Sequence, residues 1–273
     1  MSDATIPARD PIWLGIRDEV QTEISREPIL ASFLHATILN HQRLEDALSF
    51  ILAGKLQTLS LPDMLVRELV DKAFGASAGI GASIREDLEA VRVRDPASHG
   101  YSEPFLYFKG FHALQSYRIA HWLWQQERRS LAVHLQSRIS EVFGVDIHPA
   151  AQIGCGILID HGTSVVIGET AVVEDNVSLL HEVTLGGTGK ELGRRDPKVR
   201  HGVVLGAGAK VLGSIESGVG AKIGAGSVVL DDVPPHFTVA GVPAEIVGRP
   251  AVDEPALEMD QSFPHQHGDG SGI

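Results

Sequence analysis

The chain has 273 residues, a formal net charge of −12 and a hydrophobic content of 43%. This length and content allow a large buried core and two domains, and the acidic balance argues against a nucleic acid or an anionic membrane as partner. The first ten residues lack a signal segment, no apolar run reaches transmembrane length, and the single cysteine excludes an internal disulfide, so we expect a cytoplasmic protein.

Residues 1–143 are predicted to form an all-helical domain. Apolar residues recur at every fourth position from Ile12 to Ile24, and the helical pattern continues to Leu52. Further helices are predicted over residues 62–75, 80–93, 104–127 and 130–143. The aromatic-rich segment 104–127 is interpreted as core or as an oligomer contact.

From Ile147 to Val229 an aliphatic or small residue returns at every sixth position. The thirteen hexad starts are Ile147, Ile153, Ile159, Ile167, Val173, Leu179, Leu185, Val199, Leu205, Val211, Ser217, Ile223 and Val229. A helix repeats about every 3.6 residues and a strand about every two, so neither explains this period, whereas a coil of three short strands with glycine corners does. The sequence therefore predicts a left-handed parallel β-helix over residues 144–248 and an α+β fold class.

Two interruptions of the hexad rhythm predict loops on one face of this β-helix. The step from Ile159 to Ile167 is eight residues and the step from Leu185 to Val199 is fourteen, so each is interpreted as two residues added to whole hexads. Such insertions form loops on one face, often the binding face. Residues 249–273, rich in Pro, Asp, Glu, His and Gly, are predicted to be a flexible tail.

His161 and Asp146 are the candidate catalytic residues, and Asp160 is the carboxylate next to His161 in the sequence. Asp160 and His161 end the hexad before the first interruption, and Asp146 lies just before the first hexad. A carboxylate near an imidazole fixes its tautomer and stabilises the imidazolium, which allows the histidine to act as general base toward an alcohol. The dipeptide alone is a weak signal, because Asp-His pairs are common by chance.

His161, His181 and His201 offer a competing interpretation, since they are spaced by twenty residues and each occupies the third position of a hexad. In a regular solenoid they would form a column, and three imidazoles can bind zinc. Side chains on stacked coils about 5 Å apart point in parallel, so we expect no metal site. Cys155 lies between two glycines and is interpreted as a packing residue rather than a nucleophile.

Several runs of residues carry a family resemblance. The β-helical region contains VDIHPAAQIG, LIDHGTSVVIGETAVV, LLHEVTLGGTGK, GVVLGAGAKVLG and KIGAGSVVLDDVPPHFTVAGVPAEIVG, and the helical region contains VRVRDPASHGYSEPFLYFKGFHALQSYRIAHWLW. Together they resemble the serine O-acetyltransferase family, from about residue 10 to Gly248. Hexads alone indicate only an acyltransferase, and the helical segment makes the resemblance specific.

The resemblance implies transfer of acetyl from acetyl-CoA to the hydroxyl of L-serine, giving O-acetylserine and CoA. This is the first step of cysteine biosynthesis from serine, and the resemblance implies feedback inhibition by cysteine. It implies that His161 is the general base and Asp146 its partner carboxylate. It also implies that Asp95, Asp160 and Arg195 bind serine or the inhibitor.

The resemblance places acetyl-CoA in a groove between neighbouring subunits. The implied contacts are Gly187, Thr188, Ala207, Gly208, Lys222 and Ala225. Small residues let a pantetheine arm approach the backbone, and a lysine can meet a coenzyme phosphate, although a solvated solenoid lysine is an equally good interpretation of Lys222. A backbone N–H in the Gly186-Gly187 corner is a candidate donor to the oxyanion.

Position 196 departs from the family pattern. The family loop usually reads Arg-His-Pro-Lys, whereas this chain has Arg195-Asp196-Pro197-Lys198. The missing histidine belongs to the family's substrate site, so Asp196 is assigned to substrate binding as well. An acidic residue there would repel the carboxylate of serine unless it turns toward the ammonium group, and we expect Asp196→His to tighten serine binding.

The resemblance also implies trimers that pair through their helical domains into hexamers. The tail ends at Ile273, whose free carboxylate is suited to capture in a pocket, and the family tail enters the active site of O-acetylserine sulfhydrylase. Two alternative functions stay open. One is acetyl transfer to a sugar or an antibiotic, and the other is a mainly regulatory binding role toward cysteine synthase.

Overall fold

The computed structural model describes residues 10–189, 193–259 and 261, in which a helical domain precedes a parallel β-helix. The α-helices are α1 (Pro11–Arg26), α2 (Ala31–Leu34), α3 (Leu44–Leu56), α4 (Asp63–Ala76), α5 (Ala78–Arg94), α6 (Ser102–Tyr107), α7 (Lys109–Gln125), α8 (Arg129–Phe143) and α9 (Pro255–Glu258). A 3₁₀ turn and a π-helical turn flank α2. Among the described residues, no helix is long and apolar enough to cross a membrane.

The predicted helices are confirmed with bounds that differ by at most two residues. The exception is the segment 104–127, which is divided at Phe108, where an extended backbone (φ −77°, ψ 111°) separates α6 from α7. In the first helix Asp10 accepts a hydrogen bond from the Trp13 N–H at 3.2 Å, which satisfies one N-terminal donor. The aromatic residues of 104–127 divide between core and partly exposed positions, with Phe105 fully buried.

Fifteen strands are described in the second domain. They are β1 (Val145–Ile147), β2 (Gln152–Ile153), β3 (Leu158–Ile159), β4 (Val165–Ile167), β5 (Val172–Val173), β6 (Ser178–Leu179), β7 (Thr184–Gly186), β8 (Lys198–Val199), β9 (Val204–Leu205), β10 (Lys210–Leu212), β11 (Glu216–Ser217), β12 (Lys222–Ile223), β13 (Val228–Val229), β14 (Thr238–Ala240) and β15 (Glu245–Gly248). All thirteen predicted hexad starts lie in β1 to β13. The predicted β-helix is therefore confirmed strand by strand.

Three parallel sheets form the faces of the β-helix because every third strand joins the same sheet. Sheet A has the order β1-β4-β7-β10-β13, sheet B contains β2, β5, β8 and β11, and sheet C contains β3, β6, β9, β12 and β14, with β15 antiparallel at its edge. Each coil thus passes from sheet A to sheet B to sheet C. The inward aliphatic residues stack into one continuous core, which holds the three corners in place.

The pairing register of the strands shows how many residues each of the two interruptions adds to a coil. Val145 pairs with Val165, 20 residues later, so the first interruption adds two residues to an 18-residue coil, as predicted. Val172 pairs with Lys198, 26 residues later, whereas Lys198 pairs with Glu216, 18 residues later. The prediction for the second interruption is therefore wrong. Eight residues are added in a single loop, since no strand is found between β7 and β8 in the described part of that loop.

A buried polar network joins the helical domain to the β-helix. Asp87 on α5 is fully buried and accepts hydrogen bonds from Arg118 on α7 at 2.7 and 3.1 Å and from Gln115 at 2.9 Å. The same carboxylate accepts from the Ile157 N–H of the β-helix at 3.0 Å, and Arg118 donates to the Gly154 carbonyl at 2.8 Å. These bonds fix the orientation of α5 and α7 against the coils.

The segment after the β-helix refines the tail prediction. Residues 249–259 include α9, whose Ala256 is fully buried. The Ala256 N–H donates to the Gly202 carbonyl at 3.2 Å, and its carbonyl accepts from the Ser178 hydroxyl at 3.0 Å. Glu254 forms an ion pair with His201 at 3.2 Å. The first part of the predicted flexible tail therefore packs on sheet C, and residues 262–273, including Ile273, lie outside the described residues.

Candidate active site

His161 lies at the corner between β3 of sheet C and β4 of sheet A. Its backbone has φ of 58°, in the left-handed region that costs a non-glycine residue roughly 1–3 kcal/mol, and its side chain is 73% exposed. The start of α7 packs against this corner. A Cβ at Gly110 would collide with the Ile159 carbonyl oxygen, and the Lys109 ammonium donates to the Thr163 hydroxyl at 2.6 Å. The surrounding contacts thus hold an exposed imidazole in a strained position.

Asp160 and Asp95 lie together beside His161. Both line a cavity of about 440 Å³, whose wall also includes Met259 from the C-terminal segment. The Asp160 carboxylate lies 3.8 Å from the His161 Nε2. Burial raises the pKa of the Asp160 carboxyl; the nearby His161 opposes this change and the Asp95 carboxylate adds to it. Glu258 and Arg94 also line the cavity, which thus has three acidic groups and one guanidinium. This excess of carboxyl groups suits a cationic part of a small ligand.

Register defines a column of side chains that starts at His161. Strand β3 pairs with β6, β6 with β9 and β9 with β12, so His161, His181, Ala207 and Ala225 occupy equivalent corner positions. The two imidazole rings are 5.8 Å apart and meet edge-on at 76°. Ala207 is half-buried and Ala225 exposed, so the column changes from large rings to small side chains along the coils. We call this line the corner column.

His201 does not belong to the corner column, so the predicted column of three histidines is wrong. The eight-residue insertion shifts the sequence by one hexad relative to the coil, and β5 pairing with β8 places His201 level with Asp175 on another corner. Within residues 10–189, 193–259 and 261 no group of three or more His, Cys, Asp or Glu side chains is arranged to hold a metal ion.

Cys155 packs at a corner beside Asp175. The Asp175 carboxylate accepts hydrogen bonds from the Cys155 N–H at 2.8 Å and from its thiol at 3.3 Å. Burial and the carboxylates of Glu86 and Asp175 raise the pKa of the thiol to about 12. Because the thiolate is the reactive form, this environment disfavours a nucleophilic role for Cys155 and supports its interpretation as a packing residue.

Asp146 lies on β1 and is held from the helical domain. Its carboxylate accepts a hydrogen bond from the Gln136 amide of α8 at 2.7 Å. Among the described residues, no ion pair joins Asp146 to His161, whose ring instead has Asp160 as its neighbouring carboxylate. The partnership of Asp146 with His161 therefore stays a prediction. Gln136 had no sequence signal, because its contact depends on how α8 packs against β1.

Arg195 lies at a different corner, where sheet A passes to sheet B. Its guanidinium donates to the Glu169 carboxylate at 2.6 Å. Gly187, at the other end of the same loop, lies close to Arg195: a Cβ built on Gly187 would be 3.3 Å from the arginine side chain. Thr188 follows at an exposed position. The eight-residue insertion thus returns on itself and brings its first and last residues together.

Asp196 is turned inward at this corner. It is 4% exposed, and its carboxylate accepts hydrogen bonds from the N–H and the hydroxyl of Thr170, both at 2.8 Å. Sequence reasoning did not single out Thr170 or Glu169. Their signal is the polar Glu-Thr pair directly after the hexad glycine Gly168, at the point where a corner is expected.

Lys222 lies on β12 and is 5% exposed, so it is not a solvated surface lysine. It pairs in register with Val204 and Thr238 on the outer face of sheet C, which is the face that α5 and the C-terminal segment cover. Gly208 lies one residue beyond the corner column, and its N–H donates to the His181 carbonyl at 2.9 Å. The residues predicted to bind acetyl-CoA thus divide between the corner column, its neighbours and the loop after β7.

Comparison with known proteins identifies the family. Residues 12–116 match the family model described as serine acetyltransferase, N-terminal. The serine acetyltransferase of Escherichia coli K12 is 57% identical over 264 residues, which cover 95% of this chain and 97% of that protein. The chain belongs to the serine acetyltransferase family.

Solved serine acetyltransferases have the same fold. The enzyme from Vibrio cholerae superposes with a TM-score of 0.92 at 58% identity, over 94% of this chain and 99% of that one. A serine acetyltransferase in complex with cysteine superposes with a TM-score of 0.91 at 55% identity, over 93% and 98% of the two chains. The likeness includes both the helical domain and the β-helix, which confirms the resemblance drawn from the sequence.

Proposed function

We propose that this chain transfers the acetyl group of acetyl-CoA to the hydroxyl of L-serine, giving O-acetylserine and coenzyme A, as the first step of cysteine biosynthesis. The observation that carries the proposal is the His161 corner, where an exposed, strained imidazole lies 3.8 Å from Asp160, a carboxylate that lines a cavity together with Asp95. Membership of the serine acetyltransferase family supports it. Solved members of the family hold coenzyme A, serine or cysteine.

His161 acts as the general base. A serine hydroxyl is a poor nucleophile at neutral pH, so the ring accepts its proton while the oxygen attacks the thioester carbon. The tetrahedral intermediate then expels the coenzyme sulfur, which takes the proton from the imidazolium and leaves as the thiol. Asp160 lies 3.8 Å from the ring and stabilises the developing positive charge, and Asp146 is proposed to contribute from β1.

Serine is bound by residues from two corners. Asp95 and Asp160 suit its ammonium group because they provide negative charge in a partly buried cavity. Arg195 can form a bidentate pair with its carboxylate. Since Arg195 and His161 occupy different corners of one β-helix, we propose that a complete site combines the His161 corner of one subunit with the Arg195 corner of the next.

Acetyl-CoA is proposed to lie along the corner column. Ala207 and Ala225 continue the line above His161, and their small side chains leave room for the pantetheine arm. Gly187, Thr188, Gly208 and Lys222 are proposed to flank it. Lys222 has little exposure in one chain, so a contact with coenzyme phosphate requires access from the edge of sheet C.

The proposed assembly is a hexamer made of two trimers that pair through their helical domains. Exposed apolar side chains on that domain support the pairing: Ile29 is 87% exposed, and the stacked rings of Phe33 and Tyr107 are also exposed. Cysteine is the proposed inhibitor at the serine site. O-acetylserine sulfhydrylase is the proposed partner of the terminal Ile273, and the cytoplasm is the proposed location.

The experiment compares coenzyme A release by the wild-type chain and by His161→Ala. We expect thiol release with L-serine that cysteine suppresses, and a loss of at least about 1000-fold in turnover for the variant with unchanged acetyl-CoA binding by calorimetry. The exposed histidine His134, replaced by alanine, is the matched control and should retain full turnover. Release with a sugar or an antibiotic instead of serine would support the alternative acceptor, and near-normal turnover of His161→Ala would exclude it as base.

A further inference from the structure

Four hydrogen bonds tie Asp196 and Arg195 to Thr170. The Thr170 hydroxyl and N–H both donate to one oxygen of the Asp196 carboxylate at 2.8 Å. The hydroxyl oxygen in turn accepts from the backbone N–H groups of Arg195 at 3.1 Å and Asp196 at 3.0 Å. A single threonine therefore satisfies the backbone at the end of the long loop and the buried carboxylate beside it. We call this arrangement the Thr170 clasp.

Gly168 provides the space for the clasp. A Cβ built on Gly168 would lie 2.5 Å from the carboxylate carbon of Asp196, which is closer than any van der Waals contact allows. The backbone of Gly168 itself needs no left-handed conformation, because its φ is not positive. The missing side chain at position 168 therefore serves the close approach of Asp196 to the coil.

The clasp determines where the Arg195 side chain points. Thr170 is adjacent in sequence to Glu169, whose carboxylate accepts a hydrogen bond from the guanidinium of Arg195 at 2.6 Å. The backbone of Arg195 and its side chain are thus held by two consecutive residues of one β-helix corner. A long loop that lacked these bonds would sample many positions, and ordering it would reduce the free energy gained from substrate binding.

We propose that Thr170 and Asp196 are positioning residues that hold Arg195 ready for the carboxylate of the amino acid substrate. Asp196 then acts as a loop anchor in place of a direct substrate contact, since its carboxylate is buried and engaged with Thr170. The inference rests on the proposed function for the role of Arg195. It assigns the acidic residue at position 196 a structural reason that a comparison of sequences does not provide.

The test measures the Michaelis constants of serine and acetyl-CoA separately. Thr170→Val removes the hydroxyl at nearly constant volume and should raise the serine KM about tenfold, with kcat and the acetyl-CoA KM changed less than about twofold. Gly168→Ala should act in the same direction, because its methyl group displaces the Asp196 carboxylate. Thr170→Ser retains the hydroxyl, so its serine KM should stay close to that of the wild type.

Asp196→His distinguishes the anchor from a direct substrate contact. An imidazole cannot reproduce both Thr170 bonds in the space beside Gly168, so the anchor role predicts a higher serine KM, whereas a direct contact with serine predicts a lower one. Thr22→Val on α1, where the hydroxyl donates to a helix carbonyl at an exposed site, is the matched control and should leave both Michaelis constants unchanged. An unchanged serine KM in Thr170→Val, or an equal rise for acetyl-CoA, would overturn the proposal.

Tryptic cleavage of the loop tests the Thr170 clasp independently of the proposed function. Arg194 is exposed at the loop surface, and release of the loop should speed cleavage after Arg194 and Arg195 about tenfold in Thr170→Val but not in Thr170→Ser or Thr22→Val. A wild-type chain that releases no thiol with serine would contradict the proposed function alone. Equal cleavage rates in Thr170→Val and the wild type would contradict the clasp, whatever the activity.

Discussion

At the scale of single residues, His161 and Asp160 are placed at some cost to the stability of the fold. His161 has a left-handed backbone (φ 58°), and the partly buried Asp160 carboxyl faces the like charge of Asp95. Both features oppose folding, and strain of this kind is concentrated at functional sites. The sequence indicated both residues through the Asp-His pair. It did not indicate the backbone strain at His161, because that strain depends on the packing of α7 against the corner.

Asp160→Asn tests the cost of the buried carboxyl group through the pH dependence of the free energy of unfolding. Burial raises the pKa of Asp160 in the folded chain, so the folded chain binds this proton more tightly than the unfolded chain. The free energy of unfolding therefore falls as the pH rises from the ordinary carboxyl pKa through the raised one, and stays lower above it. We expect Asp160→Asn to be more stable than the wild type by about 1 kcal/mol at pH 8, a Tm rise of about 2–4 °C.

The same measurement at pH 3 should show no difference, because both side chains are then neutral. Asp231→Asn, at an exposed position, is the control and should change the Tm by less than 1 °C at either pH, within about ±0.5 kcal/mol. A variant that is less stable than the wild type at pH 8 would show that the Asp160 carboxylate stabilises the fold. Thermal unfolding followed by circular dichroism is sufficient for the comparison.

At the scale of elements, helices and strands are held together mainly by contacts that the sequence pattern does not reveal. The period of six identified the inward positions of strands β1 to β13, since each coil repeats the same local geometry. The prediction for the second insertion was wrong because two hexads with two added residues and one hexad with an eight-residue loop both span the fourteen residues from Leu185 to Val199. Strand register decided between them, and with it the place of His201.

Asp87→Asn tests the network that joins α5 and α7 to the β-helix. The carboxylate is fully buried and neutralises Arg118 at 2.7 Å, so an amide leaves the guanidinium charge without its counterion. Breaking one partner of such a pair costs about 3–5 kcal/mol. We expect urea unfolding to show a destabilisation of that order, with the helical domain loosened relative to the coils.

Glu68→Gln on α4 is the matched control for Asp87→Asn. Glu68 also forms a carboxylate ion pair at 2.6 Å, with Lys72, but both side chains are about 60% exposed. Exposed pairs contribute about 0–1 kcal/mol, so this variant should unfold near the wild-type urea midpoint. If both variants lost the same stability, burial would not be the reason for the importance of Asp87.

At the scale of the whole molecule, the proposed substrate residues lie at two separate corners of the β-helix. Asp95 and Asp160 line one cavity, with His161 next to Asp160, and Arg195 is held by Glu169 and Thr170 elsewhere. One chain therefore presents two partial sites. A symmetric ring of such subunits would bring the two corners together at each interface, which is the physical argument for an assembly in the proposed function.

Ile29→Asp tests the proposed pairing of trimers. Ile29 is 87% exposed on the helical domain, and a carboxylate in a symmetric apolar contact would face its own copy. We expect the variant to halve the particle mass in native mass spectrometry, with thiol release retained, because the proposed active sites lie within each trimer. An unchanged mass would exclude this surface as the contact between trimers.

The sequence by itself determined the two-domain architecture, the inward positions of strands β1 to β13, the family and the identity of the candidate base. Local periodicity is sufficient for the architecture and the inward positions because each hexad repeats one backbone conformation with the same inward side chain, whereas the family and the base came from the resemblance of whole segments. Only the tertiary structure decided that His201 leaves the corner column, that Asp196 anchors on Thr170 and that residues 249–259 pack on sheet C. These features depend on register and on contacts between residues far apart in the chain, where a few inserted residues change which side chains meet.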